Sequence, residues 1–439
     1  MSRRAFRASI LHFLQDPSEL PHARARESYA YFEDGLLVVE NGLVSDVGDY
    51  AEHAPQLGDT PVVDYRGKLL VPGFIDCHVH YPQTGMIGSY GEELLSWLDT
   101  YTYPAERAFA DPEHARTVAD LFLSELLRNG TTTALVFASV HACSAEALFE
   151  RALALNMRLI TGKVLMDRNA PDYLTDTPQS AYTESKRLIE QWHGRGRLGY
   201  AVTPRFAGSS SPEQLRVAKR LLDEHPSCWL HTHVAENRSE VAWIEQLYAS
   251  ECAPGTSYLG VYEHFGLLTQ RSVFAHGVQL ADDDFELVAK RRSAIAFCPT
   301  SNLFLGSGLF RYRKAKEVDI KLGLATDVGG GTSFSQLQSL NEAYKIVKLQ
   351  GDKLSALEAF FLATLGSAEA LELDGKIGSF RDGNEADFVV LDPQATPLLR
   401  FRMENTRDLE ERLFVFMTLG DDRAIEATYV AGERVHARA

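Results

Sequence analysis

Two histidines separated by one residue, His78 and His80, end the apolar segment 71–80. In an extended strand, residues two apart project from the same face, so both imidazoles point to one side. Imidazole nitrogen is a common ligand of Zn²⁺ and Fe²⁺. The pair therefore predicts part of a metal site. Neighbouring histidines also occur by chance, however, and the pair alone leaves both interpretations open.

Similar side chains lie near the ends of three later apolar runs among the eight that recur along the chain. His233 and Glu236 end the fifth run, His276 lies in the sixth, and Asp327 ends the eighth. The first pair of imidazoles, a third imidazole and a carboxylate form a ligand set suited to Zn²⁺ or Fe²⁺. Such a set leaves room for a water, whose pKa a bound metal lowers toward neutrality. The pattern predicts a metal-dependent hydrolase.

Several neighbouring residues invite other interpretations. His231 shares a face with His233 but lies one pleat deeper, so we expect it to pack or to hydrogen-bond behind the site. Asp76 lies deeper on the face of the first pair, whereas Cys77 faces the other way and is excluded as a ligand. The glycines at 329–331 lack the Lys and Ser/Thr spacing of a phosphate-binding loop and predict a tight turn near the pocket.

The eight runs with strand character alternate with helical intervals. Most are nearly continuous in Val, Ile, Leu and Phe, as expected for parallel strands covered on both faces. Eight strand–helix units over about 300 residues predict a (β/α)8 TIM barrel, with an open doubly wound sheet as the alternative. Barrel active sites form at the carboxyl ends of the strands, where the predicted ligands lie. The runs are residues 70–80, 131–139, 158–167, 198–206, 228–236, 273–280, 294–302 and 321–328.

One helical interval shows how the elements alternate. Asp111 is the predicted N-cap, Pro112 the first helical position, and Gly130 the stop before a β-branched run. The interval 357–371 is expected to form the last barrel helix. For the first of these helices, the predicted buried face consists of Val118, Leu121, Phe122 and Leu126.

The two flanks of the chain differ from its middle. Both contain short alternating strands and glycine turns, and neither flank alone could bury much surface. We therefore expect residues 1–70 and 377–439 to pair into one small β-sandwich formed from both termini. Residues 71–376 would then form the metal-dependent hydrolase barrel.

Composition limits the partners. The formal net charge of −16 disfavours a nucleic acid partner, whose phosphates an acidic surface would repel. The five cysteines are scattered and lack a Cys-x-x-Cys pair, which indicates reduced thiols of a cytoplasmic protein. No segment is apolar enough for a membrane span or a signal sequence. We expect a cytoplasmic protein without a membrane partner.

These motifs together resemble the amidohydrolase superfamily and, within it, closely resemble the guanine deaminase family. The resemblance extends over essentially the whole chain after residue 30. The broader match rests on Pro72-Gly-Phe-Ile-Asp-Cys-His-Val-His80, His233, His276, Asp327 and Gly378-Ser-Phe-Arg-Asp-Gly-Asn-Glu-Ala-Asp387. The narrower match rests on Tyr81-Pro-Gln83, Glu93-Leu-Leu-Ser-Trp-Leu98, Thr203-Pro-Arg-Phe206, His233-Val-Ala-Glu-Asn237 and Phe297-Cys-Pro-Thr-Ser-Asn302.

The resemblance implies one Zn²⁺ per subunit, held by the residues at His78, His80, His233 and Asp327. Relatives with two metals bridge them with a modified lysine at the end of the fourth strand, where this chain has Thr203-Pro-Arg-Phe206 and no lysine. His276 would lie beside the attacking water, and its direct contact with the metal stays open, as does the choice between zinc and iron.

The implied reaction is the hydrolytic deamination of guanine to xanthine and ammonia, a step of purine catabolism and salvage. Asp327 would accept a proton from the attacking water, and Glu236 would carry a proton to the ring nitrogen beside C2. His276 would stabilise the oxygen of the adduct.

Four further residues are expected to bind the purine substrate. Arg205 offers a forked donor to a carbonyl such as O6, with a structural ion pair as the alternative role. Gln83 would contact a ring edge, and Phe206 would pack against the ring. Trp97 is assigned to the pocket, with packing alone as an equal alternative.

Two other functions compete with this one. Another amidohydrolase deaminase, acting on cytosine, 8-oxoguanine or an aminotriazine, would share the metal ligands and differ in the pocket. A catalytically inactive barrel scaffold would be free to lose ligands, which this chain retains. A homodimer is expected because homodimers are common among relatives.

Overall fold

Two sheets, one from the middle of the chain and one from its two ends, organise the computed structural model. It describes residues 3–20, 22–91 and 94–438. The motif beginning at Glu93 therefore lies partly outside the described residues. The strands are β1 (Arg3–Phe13), β2 (Tyr29–Glu40), β3 (Leu43–Asp49), β4 (Val62–Pro72), β5 (Phe74–His80), β6 (Thr131–Phe137), β7 (Arg158–Gly162), β8 (Val164–Leu165), β9 (Leu198–Pro204), β10 (Trp229–Val234), β11 (Ser272–His276), β12 (Ala294–Phe297), β13 (Lys321–Leu324), β14 (Phe388–Leu391), β15 (Ile425–Val430) and β16 (Glu433–Ala437).

The central sheet is a parallel barrel with the order β5-β6-β7-β9-β10-β11-β12-β13, and the short β8 pairs with β9. Two main-chain hydrogen bonds join its first strand to the segment that directly follows its last strand. Asp327 N donates to His78 O at 2.9 Å, and His80 N donates to Val328 O at 2.7 Å. The predicted (β/α)8 barrel is confirmed, and the open doubly wound sheet is excluded because the two edges meet.

Each of the eight predicted runs contains a barrel strand, and the third contains both β7 and the short β8, although several ends differ. The first run is divided at Gly73, and the residues before it belong to β4 of the other sheet. A Cβ atom at Gly73 would lie 2.1 Å from Thr132 Oγ1, so only glycine fits where the chain leaves one sheet for the other. The seventh run was predicted too long, because Pro299 begins the helix Pro299–Phe304 directly after the strand.

Helices cover the barrel between its strands, and short helices connect the remaining elements. The α-helices are Tyr50–His53, Leu94–Trp97, Tyr103–Arg107, Pro112–Arg128, Ala142–Ala154, Pro178–Trp192, Pro212–Glu224, Arg238–Leu247, Tyr258–His264, Asp282–Arg291, Pro299–Phe304, Tyr312–Glu317, Gln336–Leu349, Ala356–Phe361, Ser367–Ala370, Pro397–Met403 and Leu409–Leu419. The 3-10 helices are Pro17–Glu19, His22–Ser28, Ala54–Gln56, Tyr81–Met86, Ala108–Ala110, Asp172–Leu174, Ala207–Ser209 and Asp422–Ala424, and the π-helices are Leu98–Thr102 and Leu362–Gly366.

The helix Pro112–Arg128 tests the predicted alternation in detail. Asp111 is its N-cap as predicted, since its carboxylate accepts a hydrogen bond from Glu113 N at 3.0 Å. The predicted burial of Leu121 is wrong, because 53% of this residue is exposed. The buried face instead follows a regular helical spacing through Ala115, Ala119, Phe122, Leu123, Leu126 and Leu127.

The two termini form a seven-stranded sheet with the order β16-β15-β14-β4-β1-β2-β3. Phe6 of β1 contacts Tyr429 of β15 at a ring-centroid distance of 5.1 Å, although two strands lie between them in the sheet. The sheet therefore folds over its own apolar core. The expected pairing of the termini is confirmed, and the predicted sandwich is one continuous sheet rather than two.

The C-terminal flank also contains two helices that the sequence did not predict. Pro397–Met403 and Leu409–Leu419 lie between β14 and β15, and the second packs against the barrel helices Gln336–Leu349 and Ala356–Phe361. The division of the chain at residues 70/71 and 376/377 stays a prediction. Within the described residues, no helix is both long and apolar enough to cross a membrane.

Candidate metal centre and active site

Four side chains from three strand ends converge at the carboxyl end of the barrel. His80 Nε2 lies 3.1 Å from His78 Nε2 and 3.2 Å from His233 Nε2. Asp327 Oδ1 lies 3.2 Å from His78 Nε2 and 3.4 Å from His80 Nε2. His78, His80 and Asp327 are buried, and His233 is nearly so. The structure thus brings together the four predicted metal ligands.

The chemistry of these groups fits a metal ion. His233 Nδ1 donates to the Arg205 carbonyl oxygen at 2.6 Å, which leaves a lone pair on His233 Nε2. Burial, followed by the charges of the other imidazoles, lowers the pKa of His80 and His233 well below its usual value. At the observed Nε2–Nε2 separations, the lone pairs of these neutral imidazoles point toward one another. Atoms that bind one zinc ion at about 2.0–2.1 Å lie roughly 3–3.5 Å apart, which fits the observed spacing.

Hydrogen bonds behind the ligands fix the ring orientations. His78 Nδ1 lies 2.7 Å from His231 Nε2, so His231 supports the site from behind, as predicted. His276 Nδ1 lies 3.0 Å from Asn302 Oδ1. Such contacts hold the ring of a metal-binding histidine and set its tautomer.

The first strand does not alternate regularly. The register of β5 against β6 shifts between Asp76 and Val79. Cys77 packs with Ile75 in an apolar cluster that includes Leu135 of β6, away from the imidazoles of His78 and His80. Its thiol lies 3.8 Å from Ser367 O, outside the groups that could hold a metal among the described residues.

The backbone at three strand ends adopts a conformation that L-residues rarely take. φ is +73° at His276, +50° at Asp327 and +46° at Ala235. Hydrogen bonds from Gly277 N to Val234 O (3.0 Å) and from Gln279 N to Ala235 O (2.8 Å) hold two of these turns. Strained conformations of this kind are concentrated at functional sites.

Glu236 and His276 lie side by side next to the predicted metal ligands. Glu236 Oε2 lies 3.5 Å from His276 Nε2, and Glu236 Oε1 accepts a hydrogen bond from Ser307 Oγ at 2.8 Å. Burial raises the pKa of Glu236. Burial alone would lower the pKa of His276, but the charges of Glu236 and Asp327 outweigh it and the pKa is raised.

A cavity opens in front of these groups. All four predicted substrate-binding residues line it, including Trp97, which is also packed among apolar side chains. Its lining consists of His80, Gln83, Trp97, Leu98, Arg205, Phe206, His233, Glu236, Glu240, His276, Leu305, Asp327 and Gly330.

Two carboxylates of the site, those of Glu106 and Glu240, were not predicted from the sequence. Glu106 is fully buried and contacts Arg205 Nη1 through both oxygens, at 2.9 and 2.8 Å. Arg205 therefore both forms an ion pair and lines the cavity. Glu240 accepts a hydrogen bond from Tyr258 at 2.9 Å, and burial, followed by the charge of Glu236, raises the pKa of Glu240 to about 7. Each lies in a helix near other charged residues, so no sequence pattern indicated its burial.

A family model described as the amidohydrolase family matches residues 69–435. The chain belongs to the amidohydrolase family. Metal dependence is typical of this family, and this amidohydrolase has a group of side chains that could hold a metal ion.

Several relatives of this amidohydrolase are described as guanine deaminases. Guanine deaminase of Escherichia coli (strain K12) is 53% identical over 430 residues, which cover 98% of this chain and 96% of the relative. The solved structure of E. coli guanine deaminase superposes with a TM-score of 0.96 at 52% identity, covering 99% of this chain and all of that one. Guanine deaminase from C. acetobutylicum, solved with guanine bound in its active site, has a TM-score of 0.89 at 28% identity, with coverage of 99% and 100%.

Proposed function

We propose that this amidohydrolase converts guanine and water to xanthine and ammonia. The observation that carries the proposal is the 53% identity to E. coli guanine deaminase along nearly the whole of both chains. The guanine bound in the C. acetobutylicum relative supports the same substrate. The cavity adds independent support, because donors for a purine carbonyl lie beside a group suited to a hydrolytic metal.

The metal in this proposal is a single Zn²⁺ held by His78, His80, His233 and Asp327. Their spacing and their neutral imidazoles support zinc binding. A bound zinc ion lowers the pKa of a water toward neutrality and so supplies the nucleophile. Lysine is absent from Thr203-Pro-Arg-Phe206, which favours one metal over two.

Three side chains would move or hold protons during the reaction. Asp327 accepts a proton from the attacking water while Glu236 delivers a proton to the ring nitrogen next to C2. As the bond from C2 to the exocyclic nitrogen breaks, Glu236 regains a proton from the hydroxyl of the adduct, and Asp327 passes its proton to the departing amine. His276, 3.5 Å from Glu236 and 3.8 Å from Asp327, stabilises the oxygen that becomes bonded to C2. The hydrogen bond from Ser307 holds Glu236 in place for both transfers.

The pocket residues would orient the base so that C2 faces the attacking water. Arg205 donates to O6, Gln83 contacts a ring edge, and Phe206 and Trp97 pack against the ring. Arg205 and Glu106 together are neutral, which suits an uncharged base.

A substrate panel tests the proposal. Purified, zinc-loaded protein is assayed with guanine, adenine, cytosine and 8-oxoguanine, and ammonia release is measured. We expect guanine to have the highest kcat/KM. Turnover restricted to one of the other bases would overturn the assignment, and no turnover in fully metal-loaded protein would favour an inactive scaffold.

We further propose a cytoplasmic homodimer that binds neither nucleic acid nor membranes. The net charge of −16 and the scattered cysteines support this environment, and the resemblance to guanine deaminases supports the dimer. Sedimentation of the purified protein tests the dimer, and a monomer at micromolar concentration would contradict it.

A further inference from the structure

A carboxylate outside the barrel strands joins the two polar residues proposed to bind the base. Glu106 lies on the short helix Tyr103–Arg107, between β5 and β6 in sequence, and none of its surface is exposed. Its carboxylate accepts hydrogen bonds from Arg205 Nη1 at 2.9 and 2.8 Å and from Gln83 Nε2 at 3.3 Å. One buried anion thus contacts both donors.

The contact with Arg205 determines how the guanidinium is used. A buried cation needs a compensating charge, and Glu106 supplies it. Both carboxylate oxygens bind Nη1, and among described residues no other acceptor binds Nη2 or Nε. Tyr103, three residues earlier on the same helix, lies under the guanidinium at 5.6 Å from the ring centroid. The helix therefore fixes Arg205 with part of its donor fork available to a ligand.

The contact with Gln83 determines which end of the amide faces which partner. A carboxylate only accepts hydrogen bonds, so the amide nitrogen of Gln83 must face Glu106. The amide oxygen then accepts from Gly329 N at 3.2 Å. Gln83 retains one N–H and one lone pair for a ligand, in positions set by Glu106 and Gly329.

We propose that Glu106 is a positioning residue that gives the pocket its preference for 6-oxopurines. It acts through Arg205 and Gln83, and its own oxygens remain bound to those two side chains. The proposal deepens the proposed function, since it rests on a purine occupying the cavity beside Arg205. Loss of the Glu106 carboxylate should weaken the contact with the 6-carbonyl of the purine far more than the contacts with the purine ring.

Direct binding measurements test this without turnover. The dissociation constants of hypoxanthine, which has the 6-oxo group, and of purine, which lacks it, are measured by calorimetry on zinc-loaded protein. In the parent, hypoxanthine should bind more tightly. In Glu106→Gln, its advantage over purine should fall about 10- to 100-fold, as expected for loss of a charge-assisted contact. In the control Glu286→Gln, which alters an exposed glutamate, the ratio should not change.

The ratio separates positioning from a merely structural role, because partial unfolding weakens both ligands equally. An unchanged ratio in folded, zinc-loaded Glu106→Gln overturns the proposal. If that variant does not fold, Glu106→Asp decides, since it keeps the charge but shortens the reach. Its ratio should also fall, and an unchanged ratio would overturn the proposal. Failure of the parent to deaminate guanine, by contrast, would reject the proposed function alone.

Discussion

The main-chain nitrogen of Asp327 donates a hydrogen bond to His78 O at 2.9 Å, and Asp327 Oδ1 lies 3.2 Å from Nε2 of the same histidine. The first contact joins the edges of the barrel sheet. The second places the carboxylate of the last strand against the imidazoles of the first. The contacts that close the barrel therefore also bring the candidate metal ligands together.

Substitution of His233 tests the candidate metal centre directly. His233→Ala removes one of the converging nitrogens, so zinc affinity should fall more than about 100-fold, beyond the loss typical of a residue behind a ligand. Zinc content after dialysis against a chelator measures this. His264→Ala, at an exposed position, is the matched control and should retain parental zinc. Full zinc occupancy in His233→Ala would show that the ligand set is wrong.

His231 should act on zinc through His78. Its Nε2 lies 2.7 Å from His78 Nδ1, so His231→Ala leaves that ring free to rotate. Zinc affinity should fall about 10- to 100-fold, less than for His233→Ala. His231→Gln, which can still accept a hydrogen bond, should recover part of the loss. Competition with a chromogenic chelator provides the constants, and equal affinity in all three proteins would contradict this role.

Arg205 should contribute to substrate affinity and to stability separately. Arg205→Ala removes the proposed O6 donor and leaves the buried Glu106 without its compensating charge. KM for guanine should therefore rise, and the free energy of unfolding should fall by about 3–5 kcal/mol. Zinc content should not change.

A double variant separates the two effects. Adding Glu106→Gln to Arg205→Ala should recover much of the stability but not the KM, because only the uncompensated charge is relieved. Arg187→Ala, in an exposed ion pair, is the control. Parental KM in Arg205→Ala would reject its role in binding guanine.

Glu385 should make stability depend on acid pH. Burial would raise the pKa of Glu385, but hydrogen bonds and charges from Arg158 and Arg197 outweigh it and hold the pKa below its usual 4.5. The stabilisation is therefore complete above pH 4.5 and is lost as the pH falls through the folded-state pKa. Below pH 4.5, Tm should fall more steeply in the parent than in Glu385→Gln. Parallel Tm curves would contradict this, and Glu286→Gln should follow the parent.

The sequence predicts the features that depend on local pattern. Continuous apolar runs identify all eight barrel strands. Ligand-type residues at their ends predict a candidate metal centre, because barrel topology brings those ends together. Contacts between distant segments are not predictable in this way. In the sequence, Glu106 cannot be distinguished from an exposed helical glutamate. Only the fold places it against Arg205. The terminal sheet likewise folds over itself through contacts such as that between Phe6 and Tyr429. An alternating residue pattern predicts the strands but does not predict such contacts between them.

Conversion of guanine by the parent and by Glu236→Gln, at equal zinc content, tests the central claim most directly. The parent should release xanthine and ammonia in equal amounts. Glu236→Gln should keep its zinc but lose about 10²- to 10⁴-fold in kcat, because the amide cannot carry the proton. Glu245→Gln, an exposed change on the following helix, should match the parent. A parent that binds zinc but forms no xanthine, or a Glu236→Gln variant within about 10-fold of the parent, would contradict the proposed reaction.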